Sequence, residues 1–87
     1  MGIVMTAGIN NRIADDVSFA KHVTDALGRF VHNDWGDMCD EDRQHNDAAL
    51  KTKMRILASY GTGDDHIWII KDADYEGTIT ILYPHEN

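Results

Sequence analysis

The sequence predicts an α+β fold in which amphipathic helices come first along the chain and a sheet follows. Apolar residues recur at helical spacing in the first half, whereas polar and apolar residues alternate with a period of two in the second half. Turns rich in glycine and aspartate separate the alternating stretches. The 87 residues predict one domain over 1–87, which at this size buries only about 60 to 65% of the unfolded chain's surface.

The strongest periodic signal predicts a main helix over about 17–32. Asp15 or Asp16 is placed to accept hydrogen bonds from the first free N–H groups of that helix. Upstream, the segment 8–16 is expected to form a short helical turn after a brief extended stretch over 3–6. The apolar residues of the main helix fall on one helical stripe: Phe19, Ala20, Val23, Ala26, Leu27, Phe30 and Val31.

A second helix is predicted over about 40–51. Residues in this stretch are good helix formers, with acids first and lysine last, an order that suits the helix dipole. The segment 33–37 contains Asn-Asp and Trp-Gly pairs, so the chain is expected to turn there. Both helices should pack on the sheet.

Three strands are predicted after the second helix, over about 54–60, 66–71 and 78–83. The stretch HIWIIK at 66–71 is β-branched and apolar on both sides, as expected of a central strand. Short loops join the three stretches, which favours an antiparallel meander. Pro84 ends the last strand.

The charge and the distribution of apolar residues disfavour several classes of function. The formal net charge of −7 disfavours direct nucleic-acid binding, which needs basic residues to displace counterions, and favours a basic partner. No apolar run approaches the roughly 18 residues that a membrane span needs, and the N-terminus lacks the pattern of a secretion signal. Cys39 has no second cysteine to pair with, and a packing role is expected for it. We therefore expect a cytoplasmic protein that does not associate with membranes.

The most unusual stretch is 33–47, NDWGDMCDEDRQHND, which holds six carboxylates. We take the exposed acids of this stretch, together with those of the turn before the last strand, as the candidate partner-binding residues. Trp35 has two possible roles: it anchors the loop against the first helix, or it is an exposed hot spot for a partner. The candidate residues are Asp34, Trp35, Asp37, Asp40, Glu41, Asp42, Asp47, Asp72, Asp74 and Glu76.

Metal and catalytic sites are not favoured by the spacing of the remaining residues. The segment 72–77 matches the start of an EF-hand calcium loop, but Tyr83 stands where that loop needs a bidentate acid, and a hairpin turn fits better. The histidines and Cys39 form no zinc-binding spacing. Acids around Cys39 should disfavour its thiolate. We therefore expect no cofactor, no metal and no enzymatic activity.

Short motifs follow one another along nearly the whole chain: DWGD at 34–37, Glu41-Asp42, Asn46-Asp47, Ala49-Leu50, RILASY at 55–60, IWII at 67–70, Asp72-Ala73-Asp74 and TITILYP at 78–84. In this ordered set the chain resembles a family of small bacterial proteins carried on plasmids, prophages and other mobile elements, some of which bear a label linking them to restriction-modification subunits. Where the family pattern often has arginine or serine after Asp-Ala-Asp, this chain has Tyr75 and Glu76.

Mobile elements also carry short acidic proteins that block host defences, anti-CRISPR proteins among them, and this chain is similar to those in size and charge. The resemblance thus implies a non-enzymatic counter-defence inhibitor that occupies a basic nucleic-acid-binding surface of a CRISPR effector or another defence nuclease. The alternative is an accessory or regulatory interaction module of the mobile element without mimicry. A metal-binding protein is a third reading.

The oligomeric state follows from the sheet edges. A three-stranded sheet has two free edges that could pair with a second copy. Lys53 and Arg55 beside the first strand, and Pro84 after the last, discourage such pairing. The sequence therefore favours a monomer.

Overall fold

The computed structural model describes residues 2–73 and 77–87 and has the predicted α+β architecture. Three helices precede most of the sheet: α1 (Ala7–Asp15), α2 (Val17–Val31) and α3 (Asp40–Thr52). The strands are β1 (Ile3–Met5), β2 (Ile56–Tyr60), β3 (Ile67–Lys71) and β4 (Ile79–Leu82), and short 3-10 turns span Gly63–Asp65 and Pro84–Glu86.

The helices predicted over about 17–32 and 40–51 are present as α2 and α3, with local causes for their ends. The number of helices is three and not two, because α1 is a nine-residue helix where the sequence indicated only a short helical turn. The Asp16 carboxylate accepts a hydrogen bond from the Phe19 N–H at 3.1 Å, which starts α2. Lys53 adopts a left-handed conformation with φ of 58° and terminates α3. Because the chain must leave this turn before it can extend, β2 begins at Ile56, two residues later than the sequence predicted.

The predicted three-stranded antiparallel sheet is wrong in one respect, because the sheet has four strands and is mixed. β2, β3 and β4 form the predicted antiparallel meander. β1 adds to the far side of β4 in parallel, with Ile3 opposite Ile79, so that the strand order is β1-β4-β3-β2. A strand of three residues is too short to show a clear period, which explains why the sequence indicated only a brief extended segment.

The helices cover one face of the sheet. By the strand register, Ala58, Ile69 and Ile81 point to the same side, and they belong to one core cluster with Ile9 of α1 and the buried residues of α2 and α3. The α2 members lie at spacings of four, three and four residues, as a helix stripe requires: Phe19, Val23, Ala26 and Phe30.

The outer edge of β2 is closed by the chain itself. The Ser59 N–H donates to the Trp35 carbonyl at 3.2 Å, and the Asp37 N–H donates to the Ser59 carbonyl at 2.7 Å. Further along the edge, the buried Asn46 amide donates to the Leu57 carbonyl at 2.8 Å. The sheet edge that sequence reasoning assigned to β2 is therefore occupied, and β4, which carries Pro84 at its end, is an inner strand and not an edge.

Among the described residues, no helix has both the length and the apolarity that crossing a membrane would require.

The contact of Asn46 with the β2 edge generates a first prediction. Asn46→Ala removes the donor to the Leu57 carbonyl and leaves a buried acceptor without its partner, so we expect a loss of about 1 to 3 kcal/mol in the free energy of unfolding. Gln44→Ala, which truncates an exposed amide on the same helix, should change it by less than about 0.5 kcal/mol. Urea denaturation of both variants measures the difference, and equal losses would contradict the assignment.

Candidate functional site

The acidic stretch forms a loop and the first turns of α3, and Trp35 is its buried anchor. The indole is 4% exposed and packs edge-on against Phe30, with ring centroids 5.5 Å apart. Its N–H donates to the Asp47 carboxylate at 2.9 Å. Of the two roles that the sequence left open for Trp35, the structure shows the first: the buried ring anchors the loop against α2. Trp35 has to be withdrawn from the partner-binding residues, because a ring in the core cannot meet a partner.

Asp34 holds the start of the loop. Its carboxylate receives two hydrogen bonds from the Arg29 guanidinium, at 2.8 and 3.2 Å, and one from the Gly36 N–H at 3.1 Å. These bonds, the Arg29 pair foremost, lower the pKa of Asp34 below its ordinary value. The Asp34 carbonyl accepts a hydrogen bond from the Tyr60 hydroxyl at 2.6 Å. Burial of that hydroxyl, with the Asp34 charge nearby, raises the pKa of Tyr60.

Asp37 connects the loop to the turn after β2. One oxygen of its carboxylate accepts a hydrogen bond from the Gly61 N–H at 3.1 Å. Between Asp34 and Asp37, Gly36 has φ of 75°, and a Cβ there would lie 2.1 Å from the Ser59 carbonyl oxygen. Only glycine allows the loop to approach β2 this closely. Asp34, Asp37 and Asp47 therefore act within the fold and are not free charges.

Three of the predicted acids project freely from the first turn of α3. Asp40, Glu41 and Asp42 are exposed, and their position at the amino end of a helix is favoured by its dipole. Arg43 reaches Asp40 only at 4.0 Å and donates instead to the Gly36 carbonyl at 2.9 Å. In the described part of the chain, Glu41 and Asp42 have no hydrogen-bonding or ion-pair partner. We call these three residues the α3 acidic turn.

Asp72 does not join the α3 acidic turn. It follows Lys71, which pairs with Ile56 at the start of β2, whereas Asp37 bonds Gly61 just beyond the end of β2. The five residues of β2 separate these two ends by about 16 Å. Asp72, taken from the sequence as a partner-binding residue with the acids of 33–47, therefore lies at the opposite end of β2 from the loop that leads into the α3 acidic turn. Asp74 and Glu76 lie outside the described residues.

The turn between β2 and β3 lies at the same end of the sheet as Asp37, but one of its acids is already paired. Arg12 of α1 donates to the Asp65 carboxylate, and also to the Asp64 carbonyl at 2.6 Å. The guanidinium lies over the Phe19 ring, 4.0 Å from its centroid. Asp64 is thus the further exposed carboxylate at this end. Sequence reasoning did not identify Arg12 because its partners lie some fifty residues away along the chain.

The described residues offer no converging set of three or more metal-binding side chains. Cys39 is exposed, which corrects the packing role expected for it. It directly precedes α3, in an extended conformation with φ of −70° and ψ of 162°.

Comparisons with known proteins do not place the chain in a family. No protein-family profile matches it, and no solved structure matches it. A segment is similar to the macrophage receptor MARCO of Mus musculus, with 39% identity over an alignment of 46 positions. That segment covers 46% of this chain and 9% of the receptor, so the chain spans about a tenth of the receptor's length.

Acids that are bonded within the fold should contribute more to stability than exposed acids, and this difference can be measured. Asp47→Ala removes the acceptor of a buried indole N–H, so we expect a loss of about 1 to 2 kcal/mol in the free energy of unfolding. Asp25→Ala truncates an exposed aspartate within α2 and should change that free energy by about 0.5 kcal/mol or less. Chemical denaturation followed by tryptophan fluorescence measures both, and a stable Asp47→Ala protein would show that the indole bond contributes little.

The lowered pKa of Asp34 predicts a dependence of stability on pH. A carboxyl with a depressed folded-state pKa stabilises the fold above its ordinary value of 3.8, and this contribution is lost as the pH falls through the lower folded-state value. We expect Asp34→Asn to be destabilised at neutral pH and to lose less further stability on acidification than the wild type. Denaturation between about pH 6 and pH 2.5 tests this, with Asp25→Asn as control. If the free energy of unfolding of Asp34→Asn fell as steeply with decreasing pH as that of the wild type, the Arg29–Asp34 ion pair would not be the cause of the pH dependence.

Proposed function

We propose that the protein is a non-enzymatic binding protein whose α3 acidic turn docks on a basic surface of another protein. The single observation that carries this proposal is that Asp40, Glu41 and Asp42 are exposed at one helix end with almost no neutralising contacts. Arg43, the nearest cation in the sequence, is directed to the Gly36 carbonyl. The negative charge of the turn therefore remains available to a partner.

The loop before α3 supports the proposal by holding the turn in place. Trp35 is fixed between Phe30 and Asp47, and Asn46 ties the middle of α3 to β2. A charged surface that is already ordered loses little conformational entropy when it binds. Electrostatic complementarity of this kind mainly accelerates association and selects the partner.

The kind of partner follows from the charge and from the resemblance to mobile-element proteins. Carboxylates spaced along a helix can occupy a channel in which lysines and arginines otherwise hold phosphates. We propose a counter-defence inhibitor of the anti-CRISPR type, which blocks the nucleic-acid-binding surface of a CRISPR effector or another defence nuclease. In this role the protein acts in the cytoplasm and has no catalytic residue.

A second candidate is an accessory interaction module of the mobile element without mimicry. The observation that favours it is the use of Asp34, Asp37 and Asp47 inside the fold, which leaves a smaller free acidic surface than the sequence alone indicates. A module of this kind binds its partner without displacing nucleic acid. Competition with DNA or guide RNA therefore separates the two candidates.

Charge reversal tests the first candidate. Glu41→Lys with Asp42→Lys changes the net charge from −7 to −3 and should reduce inhibition at least about tenfold, since each favourable charge contact contributes on the order of 1 kcal/mol. The matched control, Asp15→Lys with Asp25→Lys, reaches the same net charge at exposed positions on α1 and α2 and should inhibit like the wild type. Lysines in the first turn of α3 oppose the helix dipole, so the α3 variant should melt below the control by about 5 to 10 °C. Circular dichroism should show both proteins folded at the assay temperature.

The readout is DNA binding by purified CRISPR effectors and defence nucleases, chosen from those whose interference the wild-type protein relieves in bacteria. Inhibition should weaken as salt rises from about 0.1 to 0.5 M, because the contacts are ionic. Equal inhibition by the α3 variant and the control would overturn the role of the acidic turn. Binding to an effector that still holds its nucleic acid would favour the second candidate.

A further inference from the structure

The two edge strands of the sheet, β2 and β1, differ in whether their outward main-chain groups are hydrogen-bonded. The β2 edge is closed by the segment 35–37 and by Asn46. At the other edge, β1 pairs with β4 on one side, and no described residue bonds the main chain of β1 on its outer side. A sheet edge with free N–H and C=O groups is a template for another strand.

The main-chain contacts show which groups of β1 are free. The Gly2 carbonyl accepts from the Ile79 N–H at 2.8 Å, and the Thr6 N–H donates to the Ile81 carbonyl at 3.1 Å. In a parallel strand pair, alternate residues direct both of their main-chain groups to the same neighbour. Gly2, Val4 and Thr6 therefore face β4, and Ile3 and Met5 present their N–H and C=O groups outward.

The side chains of this edge are apolar and accessible. Ile3, Val4 and Met5 are 49, 51 and 39% exposed. The strand carries none of the features that discourage edge pairing, since the stretch Gly2–Thr6 contains no lysine, no other charged residue and no proline. Shortness is its one protection.

We propose that β1 is a self-association edge at which two copies of the chain pair antiparallel about a two-fold axis, joining two four-stranded sheets into one of eight strands. The outward groups are self-complementary when Val4 faces Val4 of the second copy. Ile3 then pairs with Met5 of the second copy, and Met5 pairs with Ile3 of the second copy. All four outward N–H groups of the two strands thus have carbonyl acceptors.

The charge distribution favours a second copy at this edge over a charged partner. Each chain carries a net charge of −7, yet the edge strand is neutral, so two copies can approach here without bringing acids of the strand together. The α3 acidic turn, by contrast, lies beside β2, at the other side of the sheet. Self-association and binding of a basic partner can therefore occur on separate surfaces.

Three residues per copy make a small interface, below the roughly 1,200 Å² of total buried area typical of stable complexes. The dimer should therefore be weak, with a dissociation constant in the micromolar range or above. It should tighten with salt, because salt screens the repulsion between two acidic chains. This salt dependence is opposite to that expected for binding of a basic partner, so failure of this inference is distinguishable from failure of the proposed function.

The decisive variants are at Val4, which faces its own copy across the axis. Val4→Lys or Val4→Glu places two like charges directly opposite each other and should leave a monomer. An equimolar mixture of the two variants places opposite charges there and should restore the dimer. Val17→Lys is the control, because Val17 is 87% exposed at the start of α2 and the substitution adds the same charge away from the edge.

Sedimentation equilibrium between about 10 µM and 1 mM measures the association, with circular dichroism to verify folding. We expect dimerisation by the wild type and Val17→Lys, none by either Val4 variant alone, and recovery in their mixture. Met5→Pro tests the same edge through the main chain, since it removes an outward N–H and spares the bonds to β4. This variant should also be monomeric.

Hydrogen exchange adds a site-specific readout. Amide protection of Ile3 and Met5 should rise with protein concentration, whereas that of Val4, which faces β4, should stay constant. A wild type that remains monomeric at the highest concentration, or Val4 variants that dimerise as well as Val17→Lys, would overturn the proposal.

Discussion

The fold depends on closure of the β2 edge by the segment that precedes α3. A sheet whose edge strand is buried beneath a loop and a helix needs partners for that strand's main-chain groups, because an unpaired buried N–H or C=O is costly. Trp35 and Asp37 supply them to Ser59, and Asn46 supplies one to Leu57. The approach is close enough that a Cβ at Gly36 would overlap the Ser59 carbonyl.

This closure determines what the acidic residues do. Asp34 fixes the loop through Arg29 and Gly36, Asp37 fixes it to Gly61, and Asp47 accepts the buried indole bond of Trp35. These carboxylates are bound within the fold. The acids of the α3 acidic turn come after the loop has ended, where the helix dipole stabilises them. Among the described residues, the cation that reaches this turn is Arg43, which lies 4.0 Å from Asp40. One continuous acidic stretch is thus divided into a structural part and a free part by its distance from the β2 edge.

The same constraint makes the molecule asymmetric. The side of the sheet at β2 is covered and carries the α3 acidic turn, whereas β1 on the other side is open and has no charged residue of its own. A negatively charged helix end suits a cationic partner through long-range attraction, and an uncharged strand edge suits short-range hydrogen bonding to a like strand. Two kinds of association can therefore be assigned to two opposite edges of one small sheet.

The sequence by itself determined α2, α3, the meander of β2, β3 and β4, and the negative charge of the chain. These features follow from local patterns: the stripe that places Phe19 and Phe30 on one helix face, the cap by Asp16, the alternation within β2 and β4, and the continuous apolar run of β3. Only the tertiary structure decided that β1 pairs with β4, that Trp35 is buried, that Asp34, Asp37 and Asp47 are engaged, and that Asp72 lies at the other end of the sheet. Such contacts join residues far apart in the chain, as with Ile3 and Ile79. A local pattern carries no information about which distant main-chain group will satisfy a hydrogen bond.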